Sequence, residues 1–329
     1  MKRHIKIIGI GSYVPKRTVH SDEIDRKISA PNGWSEKKSG VKKRYFIEEE
    51  TASYMGAHAA INALDQAGLT FSDIDCIISA SGTVEQAIPC NASLIQKQLG
   101  LEQSGIPCFD VNSTCLSFVT ALDMISYPID AGKYKNVLLI SSEISSVGLD
   151  WSQKESSILF GDGAVAVVLT KSTTQSGIIS SHMETYSEGA HLSEIRGGGT
   201  KIHPRLYDEN TAGDFLFNMN GRGIFKLSYK YLPAFLERLF KNTSLSMSDI
   251  NLVIPHQASA SAMKIIRKKL EVPEERFMSI IENYGNMIAA SIPMALYEAV
   301  KQDKIKRGDY VLLLGTSAGL SIGGIILEY

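Results

Sequence analysis

Apolar residues fall along this chain in short runs, set between longer amphipathic stretches. The first run, Ile5 to Ile10, is interrupted only by Lys6 and Gly9 and predicts an opening β-strand. Runs at 75–80, 107–111 and 136–141 predict further strands. Between them, 91–99 and 116–131 carry apolar residues at helical spacing and predict helices. The same order then returns: strand 251–255, helix 260–270, strand 277–281, helix 289–301, strand 309–314 and a last strand over 320–327. Alternating strands and helices predict an α/β fold with a mainly parallel sheet covered on both faces.

The return is a repeat in sequence as well as in pattern. SDIDCIIS at 72–79 matches SDINLVIP at 248–255, an offset of 176. Ala121-Leu122 matches Ala295-Leu296, and Val137-Leu138-Leu139 matches Val311-Leu312-Leu313, both at an offset of 174. Ordered matches at a near-constant offset predict two duplicated α/β halves with pseudo-twofold symmetry, 1–172 and 173–329. No low-complexity linker separates them, so they are expected to pack as one unit. The stretch 180–225 is rich in Gly, His and charge and is expected to form loops over the second half.

Composition narrows the function classes. A net charge of −1 gives no electrostatic footprint for nucleic acid or an anionic membrane. No apolar run approaches a membrane span, and the basic N-terminus precedes a run too short for a secretory signal, so a cytoplasmic protein is expected. The four cysteines lack CxxC spacing and the seven histidines are scattered, so no metal is expected.

Three residues carry the candidate chemistry. Cys115 follows a strand and the small polar turn Asn112-Ser113-Thr114, where a helix is expected to begin. A thiol there would feel the helix dipole, which lowers its pKa and favours the nucleophilic thiolate. A buried core cysteine is the competing account. His256 follows the strand 251–255 and suits a general base or an oxyanion donor, or is simply a strand-end histidine. Asn286, after Gly285, reads as a turn until it is joined with the other two. The repeat brings them to equivalent strand-to-helix junctions, since Cys115 plus the offset of 174 falls on Ala289, in the loop of Asn286.

Two other motifs fail. Gly9-Ile10-Gly11 lacks the third glycine of a dinucleotide fingerprint, because Val14 stands there. Gly315-Thr316-Ser317-Ala318-Gly319 has the GxSxG form, but no histidine follows it. Its glycines suit instead a close approach of backbone N–H groups to a thioester oxygen.

In order and spacing, the chain resembles ketoacyl-acyl-carrier-protein synthase III, a condensing-enzyme family of the thiolase-like fold. The resemblance rests on Gly33-Trp34-Ser35, Asp110-Val111-Asn112-Ser113-Thr114-Cys115, Phe160-Gly161-Asp162-Gly163, Pro255-His256-Gln257-Ala258, Gly285-Asn286, Ala289-Ala290-Ser291-Ile292-Pro293 and Ala318-Gly319-Leu320. It implies a layered α-β-α-β-α architecture, a homodimer and no cofactor beyond coenzyme A thioesters as substrates. An acyl-CoA would acylate Cys115. Malonyl-ACP or malonyl-CoA would then be decarboxylated with help from His256 and Asn286, and condensation would follow. The backbone N–H groups of Cys115 and Ala318 would hold the oxyanion. Trp34, Lys38 and Lys154 match coenzyme A positions, Phe225 a tunnel wall, and Ile88 a residue that reaches the partner's acyl pocket. Arg222, Lys264, Lys268 and Lys269 are the expected carrier-protein docking charges. The chain departs from its relatives at Ser261, in place of an arginine, and at the bulky Met287-Ile288. Rival activities are a non-decarboxylative condensation, for which Glu85 lies three residues from the required base position, and acyl transfer to a hydroxyl or amine. An inactive scaffold would have no need of all three residues.

Overall fold

The computed structural model describes residues 2–329. Two mixed sheets face each other across a pair of helices. The first sheet runs in the order Ile5–Tyr13, Gly163–Lys171, Asn136–Glu143, Cys76–Ser79, Cys108–Asp110. The second runs Gly177–Thr185, Ser321–Glu328, Tyr310–Ser317, Leu252–Pro255. Strand order and direction agree between them. In each, the first three strands pair antiparallel and the strands beyond pair parallel.

The expected mainly parallel sheet is therefore corrected to a mixed one. Tyr310–Ser317 and Ser321–Glu328 are joined across residues 318–320. That connection is too short for a parallel crossover and forces a hairpin. A strand over 277–281 is also absent. Phe277 makes a single bridge to Val253, and a short helix begins at Ile281. The Gln257 side chain takes the place of a ladder there, accepting the Ile280 N–H at 2.9 Å and donating to the Met278 carbonyl at 3.2 Å.

The helices Ser117–Asp130 and Ser291–Lys301 lie between the sheets. The second is buried over most of its length, as its position between two apolar faces requires. Every residue of Asn136–Glu143 is buried, which accounts for its unbroken apolar run. Ala52–Ala67 and Asn91–Gln98 cover the outer face of the first sheet, and Gly221–Phe240 and Ala260–Lys269 cover that of the second. The layers are thus α-β-α-β-α. The glycines of the failed dinucleotide motif serve this packing. A Cβ on Gly9 would stand 2.8 Å from Ala67 Cβ, so the helix lies directly on the strand.

The loops expected over 180–225 are corrected in part. Gly177–Thr185 is an edge strand and Gly221 opens a 20-residue helix. Gly221, Gly223 and Pro233 obscured that helix, since both residue types disfavour helix interiors. Among the described residues, no helix is long and apolar enough to cross a membrane.

Candidate active site

The turn before Cys115 is locked by its own side chains. Asn112 Oδ1 accepts the Thr114 N–H at 2.9 Å. Ser117 Oγ accepts the Ser113 N–H at 2.9 Å and donates to the Thr114 carbonyl at 2.6 Å. These bonds hold Thr114 at φ 51°, a left-handed conformation that costs free energy in a β-branched residue.

The Asn286 loop copies this turn. Asn286 Oδ1 accepts the Ile288 N–H at 2.9 Å, Ser291 Oγ accepts the Met287 N–H at 2.9 Å, and Ile288 sits at φ 48°. Ile288 stands in the place of Thr114 and Ala289 in that of Cys115. The Ser291 hydroxyl, 3.4 Å away, also faces Asn286 Oδ1. The amide oxygen is thereby engaged, and the side-chain N–H₂ is left for a ligand.

Asn286 is fastened to the other half of the chain. Its N–H donates to the Leu159 carbonyl at 2.8 Å, and its carbonyl accepts the Gly161 N–H at 3.0 Å. Any side chain at Gly161 would strike the Tyr284 carbonyl, so only glycine permits this approach. Asp162, buried beside it, accepts N–H bonds from Ile47, Ser145 and Ser146 and fixes the segment.

His256 continues its strand, donating its N–H to the Leu314 carbonyl at 2.8 Å. A Cβ on Gly315 would stand 3.1 Å from both His256 Cβ and Leu116 Cδ2. His256 and the residue after Cys115 therefore share one narrow space. Burial alone lowers the His256 pKa to about 4, so the ring is neutral at physiological pH. Its Nδ1 has no partner among the described residues.

The expected thiolate is corrected. Burial first, and then the charge of Glu143, push the Cys115 thiol up to about 12, while the N–H groups of Cys115 and Ala318 pull the other way. The helix begins at Ser117 rather than at the cysteine, which sets the thiol outside its first turn. Cys115 is held toward the neutral thiol. Glu143 escaped the sequence analysis; its one signal was an acidic residue closing an otherwise uncharged, largely apolar strand.

The outer residues divide into groups. Trp34 packs on an apolar cluster together with Trp151, which sequence reasoning missed. Lys38 Nζ lies 6.0 Å from the Trp34 ring. Lys154 Nζ reaches the Ser29 carbonyl at 3.5 Å, which brings its segment to the approach of the Trp34 helix. Phe225 is half-buried near the start of the 221–240 helix, and Arg222 is exposed beside it. Lys264 and Lys268 are exposed on the 260–269 helix, with Lys269 Nζ 3.8 Å from the Tyr229 ring. Gly40, ending the Trp34 helix, abuts Ala260 at the start of that basic helix. Ile88 is 84% exposed and contributes nothing to the core. Glu85 is committed to the Ser53 N–H at 2.8 Å.

Two duplicated sheets around a half-buried cysteine and a buried histidine and asparagine define a class, the condensing enzymes of the thiolase-like fold. Comparison with known proteins gives the branch. Residues 109–187 match the model for 3-Oxoacyl-[acyl-carrier-protein (ACP)] synthase III, and residues 240–329 match its C-terminal model. The chain is 36% identical over 324 residues to beta-ketoacyl-[acyl-carrier-protein] synthase III of Aquifex aeolicus (strain VF5), covering 98% of this chain and 99% of that one. A crystal structure of 3-oxoacyl-[acyl-carrier-protein] synthase III from Aquifex aeolicus VF5 matches with a TM-score of 0.88 at 34% identity, covering 99% and 100% of the two chains. The priming beta-ketosynthase of the R1128 polyketide pathway matches with a TM-score of 0.90 at 26% identity, covering 99% and 96%. The chain belongs to the 3-oxoacyl-[acyl-carrier-protein] synthase III family.

Proposed function

We propose that this enzyme joins an acyl group, delivered by coenzyme A and held on Cys115, to a malonyl thioester with loss of CO2. The Cys115 sulfur attacks the acyl-CoA carbonyl, and the thiol proton leaves with the coenzyme A sulfur. Malonyl-ACP or malonyl-CoA then enters. Loss of CO2 leaves an enolate, whose oxygen would be held by neutral donors from His256 and the Asn286 amide. The enolate carbon attacks the acyl-Cys115 carbonyl. The resulting oxyanion is stabilised by the N–H groups of Cys115 and Ala318, and collapse expels the Cys115 sulfur and releases a 3-oxoacyl thioester.

One observation supports this assignment: Asn286 Oδ1 is engaged by the Ile288 N–H and faces the Ser291 hydroxyl, which leaves the Asn286 side-chain N–H₂ to donate to an enolate oxygen. Trp34, Lys38 and Lys154 are assigned to coenzyme A and Phe225 to the tunnel wall. Arg222, Lys264, Lys268 and Lys269 are assigned to the acidic carrier protein. A homodimer, with Ile88 lending its side chain to the partner's acyl pocket, belongs to the same proposal. So does a cytoplasmic location.

The test is intact mass after mixing with a panel of acyl-CoAs, repeated after malonyl-ACP is added. A mass gain that the malonyl donor erases, with release of a 3-oxoacyl product, supports the proposal. An acyl-enzyme that no malonyl donor discharges refutes it.

A further inference from the structure

Glu143 is wholly buried and has no cationic partner among the described residues. A buried carboxylate in that position needs a full set of hydrogen-bond donors, and here they come from two loops on either side of the nucleophile. Oε1 accepts the Gly82 N–H at 2.5 Å and the Ala289 N–H at 3.3 Å. Oε2 accepts the Thr83 N–H at 2.9 Å and the Thr83 hydroxyl at 2.6 Å. Gly82 and Thr83 form the base of the loop that carries Ile88, and Ala289 belongs to the Asn286 loop.

The clamp closes beside Cys115. A Cβ on Gly82 would lie 2.8 Å from Ile288 Cγ2 and 3.3 Å from Thr114 Cα. The two loops therefore touch across Thr114, the residue before the nucleophile. Ile288 and Thr114, both in the left-handed conformation, meet at this one point. Strain of that kind persists only where the surroundings fix it, and the carboxylate holds the segments on both sides.

We propose that Glu143 is a positioning residue: its carboxylate clamps the 82–90 loop to the Asn286 loop and sets a negative charge against the turn that carries Cys115. The inference rests on the condensation proposed above, but its first readout needs no acyl substrate. Burial pushes the Glu143 carboxyl up to about 7, against the pull of its four donors, so its charge changes near neutral pH.

The experiment compares full-length wild type, E143Q and E143D. Cys115 alkylation by iodoacetamide is followed by peptide mass mapping at pH 8. Acyl-enzyme formation and malonyl discharge are timed separately by intact mass, and folding is checked by thermal melting. Removing the charge in E143Q is expected to raise alkylation about ten-fold, because more of the thiol ionises. E143D keeps the charge and is expected to stay within about three-fold of wild type in alkylation. Both variants are expected to lose discharge about ten-fold more than acylation, because the Asn286 loop loses its anchor.

Unchanged alkylation in E143Q, or equal loss of both half-reactions, overturns the inference. A general packing defect would slow both half-reactions together. If the Glu143 variants do not fold, Thr83→Val removes one donor and leaves the carboxylate in place. A selective loss of discharge in that variant supports the clamp, and unchanged discharge overturns it. Failure of the condensation proposal itself would show separately, as wild type that never forms or never discharges an acyl-enzyme.

Discussion

Asn112 and Asn286, 174 residues apart, hold their backbones in the same way: each Oδ1 accepts the N–H two residues ahead at 2.9 Å. The duplication thus persists down to single hydrogen bonds, while the chemistry carried by the two turns has diverged. One turn ends in Cys115 and the other in Ala289. His256 has Ala80 as its counterpart, and the N–H of each continues its strand, to Leu314 and Ile140 respectively. The candidate site takes one member from each symmetric pair.

Gly161→Ala is expected to separate the halves at Asn286. The new methyl would meet the Tyr284 carbonyl, at a cost of about 1–3 kcal/mol of stability. Urea denaturation should show the loss, and malonyl discharge should fall more than acylation.

The buried His256 makes a pH prediction with a definite sign. Its folded pKa is depressed, to about 4 from 6.5. Its contribution to stability is therefore complete above pH 6.5 and is lost as pH falls through about 4. Relative to His256→Ala, wild type should lose up to about 3 kcal/mol across that window in urea titrations at matched pH. Protonation of His256 should not limit condensation until the pH falls well below 6.

Ala318→Pro deletes one of the two N–H donors proposed for the oxyanion at acyl-Cys115. Acyl-enzyme formation is expected to fall by roughly 10²–10³, the usual cost of an oxyanion donor. A thermal melt distinguishes this from collapse of the hairpin.

Trp34→Ala and Lys154→Ala are expected to raise KM for acyl-CoA several-fold, with little change in kcat. Neither should affect a truncated acyl thioester that lacks the nucleotide. Equal effects on both substrates would remove these residues from coenzyme A binding.

Lys264→Glu with Lys268→Glu reverses charge on the exposed face of the basic helix. KM for malonyl-ACP is expected to rise, more so at low salt, while malonyl-CoA is used as before. Steady-state kinetics with the two donors checks this directly.

Local sequence was enough for much of the frame. Short apolar runs, helical spacing and the repeat marked most of the strands flanking the site, and turn chemistry around Asn112 and Gly285 marked both junctions, because those signals are local. The 221–240 helix was hidden by its glycines and proline, which local propensity weighs against a packing advantage it cannot see. The mixed strand directions depended on connection lengths, and the Gln257 side chain replaced a strand that pattern alone favoured.

What the sequence determined by itself was the duplicated α/β frame and the identity of Cys115, His256 and Asn286 as candidates, since residue type and spacing survive without coordinates. What only the tertiary structure decided was their electrostatics. Burial and the Glu143 charge push the Cys115 thiol up to about 12, toward the neutral form. Glu143 reaches the site from a strand far from it in sequence, and desolvation depends on how completely distant segments close around a group.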